Sequence, residues 1–227
     1  MGSRFGTRVG IASALLIASS PPFLIQLAEP SPDLPAAAAW TIAVAYVTGG
    51  KPRHAVSSGV AAAIAILFVP GLFRLAAVIA LFILFRPERT RAQRTRAAMT
   101  YIAAAAATYV LGAVLFAAGN LQPASANYLE REFEGLFGWL AGADLVLVAL
   151  ALLAPVVLPG AVTVLLLGMC VVTAVIYLPS VSLAHWSSVR GLLPALPLAF
   201  VLGTAVVDAA WRRWILPRRK ALEMVRR

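Results

Sequence analysis

The chain has 227 residues, 61% hydrophobic and 12% charged, with a net charge of +10. Average soluble domains are roughly 45–50% apolar and about 25% charged, so an ordinary soluble core is excluded and an all-α integral membrane protein is expected. One cysteine, Cys170, and two distant histidines, His54 and His185, exclude an internal disulfide and a metal or haem centre, and no cofactor is expected.

Arg4 and Arg8 precede the first apolar stretch, as in a signal peptide. SSPP at 19–22 leads into further apolar residues rather than a cleavage site. A retained first helix is expected from about Val9 to Leu27, bent at Pro21–Pro22. The acidic loop EPSPDLP follows, then a short helix from about Ala36 to Thr48 and the basic turn GGKPRH at 49–54. Residues 55–85 form one 31-residue apolar run with Pro70–Gly71 at its centre. A Pro–Gly pair is a turn signal, so two short helices are expected, with one kinked helix as the alternative. RPERTRAQRTR, 86–96, is a basic segment, and a helix is expected from Ala97 to Ala118. Its AAAAA at 103–107 offers a small-residue face that lets a second helix approach closely in lipid.

GNLQPASANYLEREFEG at 119–135 is the longest polar connection. Asn127 with Glu130 resembles a capped helix start, so a short amphipathic interfacial helix is expected there. It leads into Glu134–Val157, an apolar run with Asp144 near its middle. Pro155 and Pro159–Gly160 end that run in an uncharged turn. Further helices are expected from Ala161 to Leu178 and from Leu192 to Trp214, separated by the loop PSVSLAHWSSVRG. Residues 1–216 then form one transmembrane helical domain, and 217–227 a basic cytoplasmic tail.

These elements give about eight crossings, or seven if 55–85 crosses once. With eight crossings and a cytoplasmic N-terminus, only Arg74, Arg131 and Arg190 among the nineteen basic residues fall outside. Cytoplasmic loops carry the excess of Lys and Arg in membrane proteins, so the eight-crossing inner-membrane topology with both termini cytoplasmic is preferred. Trp211 and Trp214 beside the arginines fit an aromatic belt. Arg212, Arg213, Arg218, Arg219 and Lys220 are expected to meet anionic lipid at the cytoplasmic face. The basic charge lies in short clusters between apolar runs, without a stacking motif, so no nucleic-acid partner is expected.

Asp144 is the leading functional candidate, because a carboxylate at mid-membrane depth costs about 2.5–3.5 kcal/mol on insertion scales and faces a protein interior or a water path. His185 and Arg190, in a loop on the side from which this helix enters, are its nearest expected partners. Asp208, four residues before Arg212, has the spacing of a helical ion pair.

LAGADLVLVALALLAP at 140–155 resembles the second-aspartate motif of the GxGD intramembrane aspartyl peptidases, in the GAD form seen in archaeal prepilin peptidases. RGLLPALPLAF at 190–200 is similar to the PAL segment of presenilin-like members through Pro194, Ala195 and Leu196. The resemblance implies a dyad of carboxylates sharing a proton, with Asp144 as one of them. Where the first aspartate belongs, this chain has LFILFRPERTR, whose one acid is Glu88. Glu88 and the entrance to the Asp144 helix fall on opposite faces in the eight-crossing topology. The leading expectation is therefore a non-catalytic subunit or scaffold of a membrane complex, with a protein partner or homo-oligomer. A small transporter or proton-linked carrier using Asp144 is the alternative, and a GxGD-like peptidase or degenerate relative a further one.

Overall fold

The structure is a computed structural model and describes residues 5–28, 31–49, 53–86, 90–117, 144–177 and 192–215. Among the described residues all regular structure is helical. His185, Arg190, Arg218, Arg219, Lys220 and the expected interfacial helix lie outside them.

Helix α1 (Thr7–Ser19) is followed by α2 (Pro21–Ala28), α3 (Asp33–Gly49) and α4 (His54–Phe68). Ser20 between α1 and α2 is extended at ψ 140°, because proline disfavours helical backbone in the residue before it. The same rule acts at Val69, which is extended at ψ 93° before a 3₁₀ turn, Pro70–Leu72. Leu72 is fully buried and pins that turn. Helix α5 (Phe73–Phe85) then runs back along the bundle.

Cross-contacts fix these directions. Ser58 Oγ donates to the Ala43 carbonyl at 2.8 Å, and Val47 meets His54 and Ala55 at the α3–α4 turn. Ile83 and Arg86 return to that same end. Residues 55–85 therefore form two antiparallel helices, and the single kinked helix is corrected. Proline at 70 removes the donor that a continuous helix needs.

Helix α6 (Arg91–Ala117) begins six residues earlier than the sequence suggests. Arginine and glutamine are good helix formers, so a charged segment need not be a loop. Its Arg94 donates to the Leu84 carbonyl at 3.3 Å, satisfying the end of α5. Tyr101 Oη donates to the Ala76 carbonyl at 3.3 Å. Gly59 of α4 lies against the Tyr101 carbonyl, Ala104 and Ala105, where a side chain would collide with backbone. Arg91–Leu115, 25 residues of mean hydropathy 1.7, is long and apolar enough to cross a membrane, and it is 11% buried in its apolar window.

Residues 144–152 form α7 and Ala154–Val157 the short α8, with Leu153 in a turn before Pro155. The chain leaves helix at Leu158 and re-enters it in α9 (Ala161–Tyr177). Residues 192–195, expected to be helical, form turns before α10 (Leu196–Ala210), since Pro194 and Pro197 interrupt the donors. A π-helical turn, Trp211–Ile215, follows.

The helices share two poles. Phe5, Arg86 and the 157–163 turn meet at one, where Val47, His54 and Ala97 also surround Arg86. Ser20, Leu34 and Leu193 meet at the other. Trp40, Leu75, Ile79, Leu166, Met169 and Leu202 fill the core between them.

Candidate functional site

Asp144 opens the described part of α7 and is half-buried. Its Oδ2 is buried and has no hydrogen-bond partner among the described residues. One turn on, Leu147 lies against α10: a Cβ added at Gly203 would come within 2.6 Å of the Leu147 carbonyl oxygen. The absence of a side chain at 203 is what lets the two backbones touch. The neighbouring Thr204 hydroxyl donates to the Phe200 carbonyl at 2.7 Å and shares a hydrogen bond with Ser13 of α1 at 2.6 Å. Asp144 thus stands one turn from a three-helix junction of α1, α7 and α10.

A cleft of about 420 Å³ opens beside this junction, lined by Arg8, Ala12, Leu147, Thr204, Asp208 and Trp211 among others. Asp208 Oδ2 accepts from Arg212 Nε at 2.8 Å, the helical ion pair expected from the spacing. Arg212 and Arg213 are exposed. Helices α7 and α10 run the same way, since α7 leads to the 157–163 turn at the pole where Arg8 meets Asp208. At 1.5 Å rise per residue, Asp144 and Asp208 stand roughly 12 Å apart along the axis. Asp33 starts α3 at the opposite pole, where Ser31 Oγ donates to it at 3.3 Å. No second described carboxylate therefore shares a proton with Asp144, and Glu88 lies outside the described residues. The Pro194–Leu196 segment packs elsewhere, with Cys170 Sγ donating to the Ala195 carbonyl at 3.6 Å.

Two residues that the sequence reading left unassigned emerge at the Phe5 pole. Arg86 is 5% exposed, donates to the Val47 carbonyl at 3.2 Å, and lies with its guanidinium carbon 5.8 Å from the Phe82 ring centre. Arginine at the end of α3 complements the free carbonyls and the negative helix terminus. The signal was the arginine placed directly between an apolar helix and Pro87. Thr163, hidden in an apolar run, is 3% exposed at the start of α9.

The chain matches no protein-family profile, no curated protein and no solved structure.

Proposed function

We propose that this chain is a multi-pass membrane protein of about eight crossings, with both termini at the basic, cytoplasmic face, and that it serves as a non-catalytic subunit or scaffold of a membrane complex. The observation that carries the reading is α6. Ala103, Ala106, Ala107, Val110 and Val114 are all exposed along it, and α4 and α5 cover only its other side. A small, apolar surface of this kind lets a further helix pack closely in lipid. The charges support the orientation. Arg8, Arg53, Arg86, Arg91, Arg94, Arg96, Arg212 and Arg213 belong to elements that end at the Phe5 pole, and Arg74 alone among the described basic residues belongs to the other. That segregation is what the positive-inside rule requires.

The test is co-purification from native membranes. A defined partner, or a second copy, should be captured by the intact chain and lost when Ala103 and Ala107 are enlarged to Leu. The isolated variant should keep its thermal stability, because neither side chain is covered by the chain itself. Recovery of the enlarged variant with the same partners would remove the subunit reading. A carrier centred on Asp144 is the second reading, supported by the unpartnered Oδ2. For it, Asp144→Asn should abolish uptake of the transported solute without lowering expression.

A further inference from the structure

We propose that Ser13 and Thr204 form a proton relay connecting the cleft at the basic pole to the Asp144 carboxylate. The proposal rests on the carrier reading of Asp144 and adds the side from which its proton enters and the groups that pass it on. The cleft of about 420 Å³ opens between Arg8 and Trp211 and reaches inward to Leu147 and Thr204. There Gly203 lies against the Leu147 carbonyl, a backbone contact too close to admit water between α7 and α10. Asp144 stands one turn behind this contact, and its buried Oδ2 has no partner among the described residues. A buried carboxylate oxygen is normally hydrogen-bonded, and an ionisable group at membrane depth faces a protein interior or a water path.

The hydroxyl pair sits at the level of that contact. Ser13 and Thr204 are both buried, and their oxygens are 2.6 Å apart. Ser13 Oγ also lies 2.6 Å from the Val9 carbonyl, and Thr204 Oγ1 lies 2.7 Å from the Phe200 carbonyl. Each hydroxyl carries one proton, so two protons serve three short contacts. Two arrangements follow. Ser13 donates to Thr204 and Thr204 to Phe200, or Thr204 donates to Ser13 and Ser13 to Val9. They differ by rotation of two O–H bonds, which is what a relay requires. Thr204 lines the cleft and Ser13 does not, so the proton enters at Thr204. A hydronium in the cleft gives a proton to the Thr204 oxygen, Thr204 passes its own to Ser13, and Ser13 passes its own through a water molecule to the Asp144 carboxylate. Each hydroxyl gains one proton and loses one, the hydronium becomes water, and the carboxylate becomes the acid. Leu147 is level with Gly203, so Asp144 and Thr204 stand about 6 Å apart along the axis, a gap that one water molecule bridges. The charged groups on the packed elements are Arg8 of α1 and Asp208 of α10 with its partner Arg212. The described part of α7 carries none besides Asp144.

The experiment follows Asp144 by infrared spectroscopy in the full chain, reconstituted in phosphatidylcholine–phosphatidylglycerol bilayers. An acid jump should raise one protonated-carboxyl band that Asp144→Asn removes. Its rate should fall about tenfold in Thr204→Val and in Ser13→Ala, the effect of one lost hydrogen bond on a transfer barrier, while the final amplitude stays the same. Thr204→Ser keeps the hydroxyl and should restore the rate. Ala12→Trp, which fills the cleft, should slow it comparably. Thr173→Val, which removes a buried hydroxyl bonded within α9, should leave it unchanged. A purely structural hydroxyl pair would move the unfolding midpoint without slowing the band. Where Thr204→Val does not fold, Ser13→Ala and Ala12→Trp decide. Unchanged rates in both, with the band present, overturn the relay and leave Asp144 an ionisable site reached from the other pole. Absence of any band that Asp144→Asn removes overturns the carrier reading itself, and the relay with it.

Discussion

Helices α6 and α10 are both apolar over most of their length, yet they meet opposite surroundings. Every residue of α10 from Leu198 to Val206 is buried, whereas 11% of the apolar window of α6 is covered. Val110, Leu111, Val114 and Leu115 are each more than 60% exposed. Hydrophobicity does not sort the two, and in a lipid solvent it has no reason to, since acyl chains are as apolar as leucine. What sorts them is contact at the backbone. Gly203 admits the Leu147 carbonyl on one side of α10, and Thr204 reaches Ser13 on another. Helix α6 makes its backbone approach where Gly59 of α4 meets Tyr101 and Ala105, and further along Leu67 of α4 packs directly over Gly112.

The largest expected effect breaks the exposed side of this comparison. Val110→Arg puts a charge on the uncovered face of α6, close to the middle of its apolar stretch. In a bilayer the cost is about 2.5–3.5 kcal/mol, so the fraction of chain inserted in a translocon assay should fall sharply. In water the same exposed substitution changes stability by no more than about 0.5 kcal/mol. Near-normal insertion would mean that α6 is not lipid-facing. Gly203→Val attacks the buried side. The added side chain collides with the Leu147 backbone, and overpacking of this kind costs about 1–3 kcal/mol. Thermal unfolding in detergent should show the loss, and Gly168→Val, where nothing lies within 4 Å of an added Cβ, should show much less.

How far the sequence carried the fold can be seen at particular residues. The breaks at Ser20 and Val69 were legible because proline acts locally on its predecessor. The start of α6 was not, because arginine reads as loop by charge and as helix by propensity, and the contact of Arg94 with Leu84 decides between them. The onset of α10 was misplaced although Pro194 and Pro197 were in plain view, since an apolar run hid their effect on backbone donors. Asp144 was legible as a lone carboxylate in an apolar run. Its place beside the Ser13–Thr204 junction was not, because that junction joins residues 191 positions apart. Arg86 and Thr163 were missed for the same reason: neither has a pattern until α5 and α9 are brought to one pole.

The junction itself gives a smaller test. Thr204→Val removes the hydroxyl that links α10 to α1 and frees the Ser13 hydroxyl to donate to the Val9 carbonyl, 2.6 Å away. Interhelical hydrogen bonds in membrane proteins average about 0.6 kcal/mol, so the loss should be of that size and should disappear in a Ser13→Ala background. A double-mutant cycle on unfolding free energies reads this directly. Coupling near zero would leave the Gly203 contact as the main tie between these helices.

The smallest expected effect is at Asp208. Arg212 is more than half exposed and Asp208 is 25% exposed, so the pair sits at the rim of the cleft rather than inside it. Helical pairs at this spacing contribute about 0.3–0.5 kcal/mol and are screened by salt. Asp208→Asn should therefore lower the unfolding midpoint by roughly 1 °C, and the difference should vanish at about 1 M salt, where the Debye length is near 3 Å. Orientation should not change, because acidic residues contribute little to the positive-inside preference. A larger loss that persists at high salt would place the pair in a dry, low-dielectric setting. The cleft of Arg8, Leu147 and Trp211 would then be closed in the native assembly, and the buried surroundings of α10 would extend to its last turn, sharpening its contrast with α6.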